Sequence, residues 1–239
     1  MTMTPPPDNC VTADPARRGR PPSGSSILSR PVIVQAAIDV IDAQGAAALS
    51  LRSVARRLGV DAKSLYNHIE NKEALLDAIA QQVLSRMVVP EATGDLRTDL
   101  VAIAHAFRAA ALSSHREAVT LVLSRPAELL AHLTPLEATL AALMGAGAKP
   151  DWAVHAVRAT LAFISGSLLR EASTGLTLGA DDPAIAGPRE AALADLGLAH
   201  VALVAPYLSR LDHLREFDFG IGILADAFVR ELAQAAAKA

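Results

Sequence analysis

Apolar residues recur at helical spacing along nearly the whole chain, and the period-two alternation of strands is almost absent. Ile33, Ala36, Ala37, Val40 and Ile41 stand at i, i+3, i+4, i+7 and i+8, which makes one apolar stripe on a first helix. Ser29 suits its N-cap, Pro31 is tolerated in its first turn, and Gly45 ends it. A short second helix starts at the capping residue Ser50 and stops at Gly59, where a missing Cβ permits the left-handed close. Asp61 caps a third helix to about Ile69. Asn71 caps a fourth, with Glu73 at its positive end and a stripe of Leu75, Leu76, Ile79, Val83 and Met87, running to near Pro90. Beyond a break at 91–95, helices are predicted at about 96–113, 116–124, 127–145, 151–173, 189–211 and 214–236. Gly, Pro and Asp cluster in 173–188, which predicts a mobile loop. The fold class is all-α, with an N-terminal three-helix helix-turn-helix domain followed by a larger helical domain.

The second and third helices, joined through Leu58-Gly59-Val60-Asp61, form the helix-turn-helix. At about 100° per residue, Ala62, Lys63, Tyr66 and Asn67 share one face of the third helix while Leu65 and Ile69 share the other. If the apolar pair packs inward, Lys63, Tyr66 and Asn67 face bases and phosphates. Charge agrees with that placement. The overall formal charge is only -3, yet residues 17–72 carry nine Lys and Arg against four Asp and Glu, and residues 87–239 carry twelve against seventeen. One end of the chain suits a polyanion and the other does not.

The ordered run Leu58-Gly59-Val60, then Leu65-Tyr66-Asn67-His68, then Asn71-Lys72-Glu73-Ala74-Leu75-Leu76 resembles the DNA-binding domain of the TetR family, over 29–87. The resemblance implies roles by position. Arg52 matches a base-reading arginine in the second helix, Tyr66, His68 and Lys72 match phosphate clamps, and Ser50 is both cap and phosphate ligand. Ala62 and Lys63 fall where operator choice varies between members, so Lys63 and Asn67 are expected to contribute readout. His68 has a second reading, as a histidine buried between the third and fourth helices. In the leader, Arg17-Arg18-Gly19-Arg20-Pro21-Pro22 resembles an AT-hook core, which places Arg18 and Arg20 in a narrow minor groove. Residues 1–28 are expected to form a disordered basic arm.

Residues 88–239 resemble the C-terminal regulatory domain of the tetracycline-repressor subgroup through Phe107-Arg108, Ser114-His115-Arg116-Glu117, Ser124-Arg125-Pro126, Phe163-Ile164-Ser165-Gly166 and Phe217-Asp218-Phe219-Gly220-Ile221. That resemblance implies an inducer pocket and a homodimer paired through the last two long helices. Phe107 and Phe163 are candidate pocket walls, with Ser124, His132 or His105 as polar contacts. The family's tetracycline-binding members hold a drug-chelated magnesium through a histidine before the Arg-Pro pair and another after the fourth helix. Here those neighbourhoods are Thr120-Leu121-Val122-Leu123-Ser124 and Met87-Val88-Val89. Their apolar character argues against a metal-chelated drug and for a more hydrophobic inducer.

Other chemistries find little support. A lone Cys10 excludes a disulfide framework and a Cys-based zinc site, and points to a reducing, cytoplasmic home. No run of about 18 strongly apolar residues suggests a membrane span, and the leader has no signal-peptide core. No phosphate loop, nucleophile elbow or His-Glu-x-x-His motif marks an enzyme, and no cofactor is implied. The expected partners are double-stranded operator DNA and a small-molecule inducer, with a ligand-independent DNA-binding dimer whose regulatory core is filled as the alternative.

Overall fold

The computed structural model describes residues 28–113, 119, 123, 133–172 and 179–238. Those residues form ten α-helices: α1 (Arg30–Gln44), α2 (Leu51–Leu58), α3 (Ala62–Leu65), α4 (Lys72–Leu84), α5 (Leu96–Leu112), α6 (Thr134–Gly145), α7 (Pro150–Ala172), α8 (Pro183–Ala194), α9 (Ala199–Leu208) and α10 (His213–Ala236). A 3-10 turn at Ala46–Ala48 links α1 to α2. The only backbone bridge outside helices among the described residues joins Ala180 to Arg210.

The first four helices close around one apolar core. Ile33, Ile41, Leu49, Val54, Leu65, Leu75 and Ile79 lie within it, each at most 1% exposed. Caps set the short helices. Ser50 and Ser53 satisfy each other's backbone amides at 3.0 and 2.9 Å, a capping box with serine where glutamate is usual. Gly59 closes α2 at φ 67° while the Val60 amide reaches back to the Ala55 carbonyl at 3.0 Å, the double closure that favours glycine. Asp61 accepts from the Lys63 amide at 2.7 Å, and Asn71 accepts from Ala74 at 2.8 Å. Ser29 holds the N-cap position of α1 by its backbone alone, since its side chain makes no capping bond.

In the second half, α5 packs on α6 and α10, and α7 packs on α6 and α10, so that four long helices surround a shared interior. Two apolar clusters fill its ends. Leu143, Ala153, Ala156 and Ala225 centre one, and Val119, Leu168, Phe217 and Ile221 the other. The helix α7 is long and apolar enough to cross a bilayer by length and composition. In the fold, Ala153, Ala156, Val157, Thr160, Ile164 and Leu168 are instead buried against neighbouring helices.

Several boundaries differ from the sequence expectations. The fourth helix ends at Leu84 rather than near Pro90, because the Ser85 hydroxyl donates to the Gln82 carbonyl at 2.8 Å and the β-branched Val88 and Val89 lead into proline. The helix expected at 189–211 is two helices. At Gly197 the backbone turns left-handed, φ 70°, and α9 folds back on α8. Part of the expected loop 173–188 is helical, since Asp182 caps α8 through the Ala184 amide at 2.8 Å and Pro183 fits its first turn. The described part of the helix expected at 127–145 begins at Thr134, while that expected at 116–124 lies almost wholly outside the described residues.

Candidate functional site

The third helix is formally one turn, but its backbone stays wound through Ile69, with the His68 and Ile69 amides both donating to the Leu65 carbonyl at 2.9 Å. Leu65 and Ile69 are buried at 0% and 3% exposure, which fixes the helix on the core by one side. The opposite side is therefore open. Lys63, Tyr66, Asn67 and His68 are exposed, as are Arg52 at the start of α2 and Lys72 at the start of α4. Tyr66 is 55% exposed. Exposure of His68 removes its reading as a core histidine.

Ser50 is partly buried and its oxygen already accepts from the Ser53 amide, so a phosphate would have to use its hydroxyl proton, which now points to the Ser53 oxygen at 3.1 Å. Arg56 is exposed on α2 and was not singled out by the sequence motif. Arg57 is engaged elsewhere, pairing with Asp39 of α1 at 3.2 Å. Arg18 and Arg20 lie outside the described residues.

A cavity of about 260 Å³ opens between α5, α6 and α7, with Leu84 from the end of α4 in its wall. Leu100, Ile103, Ala104 and Phe107 from α5, Leu136 from α6, and Val157, Leu161 and Ile164 from α7 surround it. The protons of its two hydroxyls are already engaged: Thr139 donates to the Pro135 carbonyl at 2.8 Å and Thr160 to the Ala156 carbonyl at 2.9 Å. An apolar guest fits such walls, and a polar one would leave its own groups unpaired. Phe107 also packs on the core of the first four helices, and so touches both halves of the molecule.

Phe107 lines this cavity, whereas Phe163 is not among its walls. The Phe163 ring tilts against Phe217 at 5.6 Å and sits so close to α10 that a Cβ on Gly220 would collide with it. His105 faces α10 as well, meeting Asp218 at 2.9 Å and the edge of Phe217 at 5.3 Å. Ser124 and His132 lie outside the described residues. Beside these rings, Arg108 ties α5 to α7. Its Nη2 donates to both Glu171 oxygens at 2.8 Å, and its guanidinium lies 5.6 Å from the Phe217 centroid. The α5 part of the wall was legible in principle, because Leu100, Ile103, Ala104 and Phe107 follow helical spacing on one face of that helix.

At the entrance to α5, the Asp99 carboxylate accepts from the Thr93 hydroxyl at 2.6 Å, the Thr93 amide at 2.8 Å and the Gly94 amide at 3.2 Å. Those donors hold its pKa below the ordinary carboxylate value, against the opposing effect of burial. Asp95, the α5 cap, is lowered too, through its bonds to Thr98. No group of three or more His, Cys, Asp or Glu among the described residues is arranged to hold a metal.

An exposed third helix on a core closed by four helices, beside an apolar cavity in a helical body, defines a helix-turn-helix regulator with a ligand-binding domain. The profile of bacterial regulatory proteins of the tetR family matches residues 33–79, and that of the tetracyclin repressor-like C-terminal domain matches residues 90–226. The chain belongs to the TetR family of DNA-binding transcriptional regulators. It is 29% identical over 206 residues to the tetracycline repressor protein class G of Vibrio anguillarum, covering 85% of this chain and 94% of that one. To the class A repressor from transposon 1721 of Escherichia coli it is 34% identical over 142 residues, 58% of this chain and 65% of that repressor. The Streptomyces coelicolor TetR family protein ActR in complex with actinorhodin shares the fold, with TM-score 0.73 and 24% identity, over 86% of this chain and 97% of that chain.

Proposed function

We propose that this chain is a repressor that binds a palindromic operator as a homodimer and lets go when a small hydrophobic inducer enters the α5–α6–α7 cavity. The observation that carries the reading is the sidedness of the helix-turn-helix: Leu65 and Ile69 are buried while Lys63, Tyr66, Asn67, His68, Arg52 and Lys72 face outward. In the dimer, two such helices about 34–36 Å apart enter successive major grooves, with Lys63 and Asn67 reading bases, Arg52 adding readout, and Ser50, Tyr66, His68 and Lys72 on phosphates. Residues 29–87 read DNA, residues 88–239 hold the inducer and the partner, and the arm at 1–28 places Arg18 and Arg20 in the minor groove. The setting is the cytoplasm.

Pairing through the last helices is supported by apolar side chains left in the open on α9 and α10. Leu203 and Tyr207 are 74% and 81% exposed, and Phe219 and Ile223 are 68% and 51% exposed. Ligand and DNA communicate through shared walls. Leu84 and Phe107 border the cavity and also pack in or on the N-terminal core, so a guest that displaces them tilts α4 and changes the separation of the reading helices. The inducer acts only by its preference for the mismatched arrangement. A ligand-independent dimer with a filled regulatory core is disfavoured by the open cavity, and the walls suit an unchelated apolar compound. Ser124 and His132 remain candidates for its polar contacts.

Selection of bound sequences from random duplex DNA tests this reading. A palindromic consensus is expected, and recovery of no preferred sequence contradicts it. Deleting residues 1–24 should weaken binding and flatten its salt dependence, since fewer counterions are released.

A further inference from the structure

A second cavity, of about 290 Å³, lies beside the first, at the amino end of α5 and the carboxyl end of α6, and Ile103 belongs to the walls of both. Its outer wall is the linker that joins α4 to α5, through Pro90, Glu91, Ala92 and Gly94. The α6 side is built of alanine and glycine, which leaves room. We propose that the two cavities are the two ends of one ligand site, divided by Ile103, and that this site takes an elongated molecule with an apolar body and a basic nitrogen at the end nearer the linker. This inference rests on the proposed inducer cavity and names the chemical class of its ligand.

The two ends differ in what they can satisfy. Around the inner cavity every charged residue is absent, and both threonine hydroxyls already have acceptors. A charge buried there would go unpaired. Around the outer cavity the charged residues are Glu91 and Asp99, with no Lys or Arg among its walls. Glu91 has no ion-pair partner among the described residues. The carboxyl end of α6, at Gly145 and Ala146, adds the negative end of a helix dipole. The opposing positive end of α5 is already answered by Asp95, which accepts from the Thr98 amide at 2.8 Å. An ammonium group therefore meets a favourable field at this end, and a carboxylate an unfavourable one.

The position also explains how such an end would be felt. Asp99 ties Thr93 and Gly94 of the linker to α5. A cation held beside Glu91 and Asp99 therefore sits against the strap that carries α4, while the apolar body sits against Leu84 and Phe107. One molecule spanning both cavities contacts the route to the DNA-reading helices at two points.

The test titrates the full-length protein with n-alkylamines, n-alkanols and n-alkanoates from hexyl to decyl, below their micelle concentrations, by calorimetry. Amines should bind more tightly than alkanols of equal chain length, with alkanoates weakest, and Glu91→Gln should reduce the amine advantage while leaving the alkanols unchanged. Affinity in the wild type should climb roughly fourfold for each added methylene through the series. In Ile103→Trp the climb should stop at the shorter members. Should that variant fail to fold, Ala138→Leu narrows the outer cavity from α6 and should weaken decyl compounds but not hexyl ones. Equal binding of amines and alkanols overturns the inference, as does an Ile103→Trp variant that weakens hexyl and decyl compounds by the same factor. The inducer reading fails separately if alkanols bind but Thr160→Trp, in the inner cavity, leaves their binding intact. Both fall if no member of the three series binds.

Discussion

The two halves of this molecule use similar residues to opposite ends. Residues 30–84 fold four helices around a single continuous core, with side-chain caps at the start of α2, α3 and α4, and the polar residues left outside face solvent on one side. Residues 96–236, which include the long helices α5, α7 and α10, fold around a core split into two clusters, with a cavity between them walled by members of both, such as Leu100 and Val157 from one and Ala104 and Ile164 from the other. The small alanines of α5 and α7 are part of the cause, because they let helices approach without filling the space between them. A recognition surface needs a rigid platform, whereas a switch needs an interior that is not yet full.

That contrast is broken first by core truncation, which should have the largest effect. Leu65→Ala or Ile79→Ala, each at a fully buried site, should cost about 2–5 kcal/mol of unfolding free energy in denaturant titrations. Leu161→Ala, at a cavity wall that is 41% exposed, should cost less than ~1 kcal/mol. Equal costs would mean that the cavity region is as tightly packed as the platform. Tyr66→Ala comes next and separates surface from scaffold. It should weaken operator binding by about 1–3 kcal/mol in a gel-shift titration while leaving the melting temperature unchanged. A matching loss of dimer would assign the ring to folding instead.

Ser50→Ala removes half of the reciprocal cap and should lower stability by roughly 0.5–2 kcal/mol, with the α2 amides showing faster hydrogen exchange. The smallest effect is confined to acid. Because the folded pKa of Asp99 is lowered, its stabilisation is complete above the ordinary carboxylate value and is lost as pH falls through the folded one. Asp99→Asn should therefore flatten the acid limb of the stability curve, and an unchanged limb would show that the linker tie contributes nothing.

The platform was readable in sequence because its determinants are local. Ser50, Gly59, Asp61 and Asn71 act within three or four residues of their own position, and the structure places each cap where the pattern put it. The regulatory half was read less completely for the complementary reason. Gly197 sits in a stretch rich in Ala and Leu, so periodicity carried one helix across a reversal that depends on α9 folding back on α8. Phe163 looked like a pocket aromatic, but its direction is decided by Gly220, 57 positions away, which lets the ring press against α10. Cavity walls such as Leu84, Thr139 and Thr160 come from three helices and share no motif. Local signals fix elements, and only packing decides which faces meet.

The coupling of cavity to reading surface is the claim on which the rest depends, and operator affinity measured with and without an apolar guest tests it most directly. With the selected palindrome and decanol as the guest, saturating the cavity should raise the melting temperature of the free protein and lower its affinity for the operator, and Thr160→Trp should abolish both responses. A guest that raises the melting temperature in a Thr160-dependent way yet leaves operator affinity unchanged would contradict it.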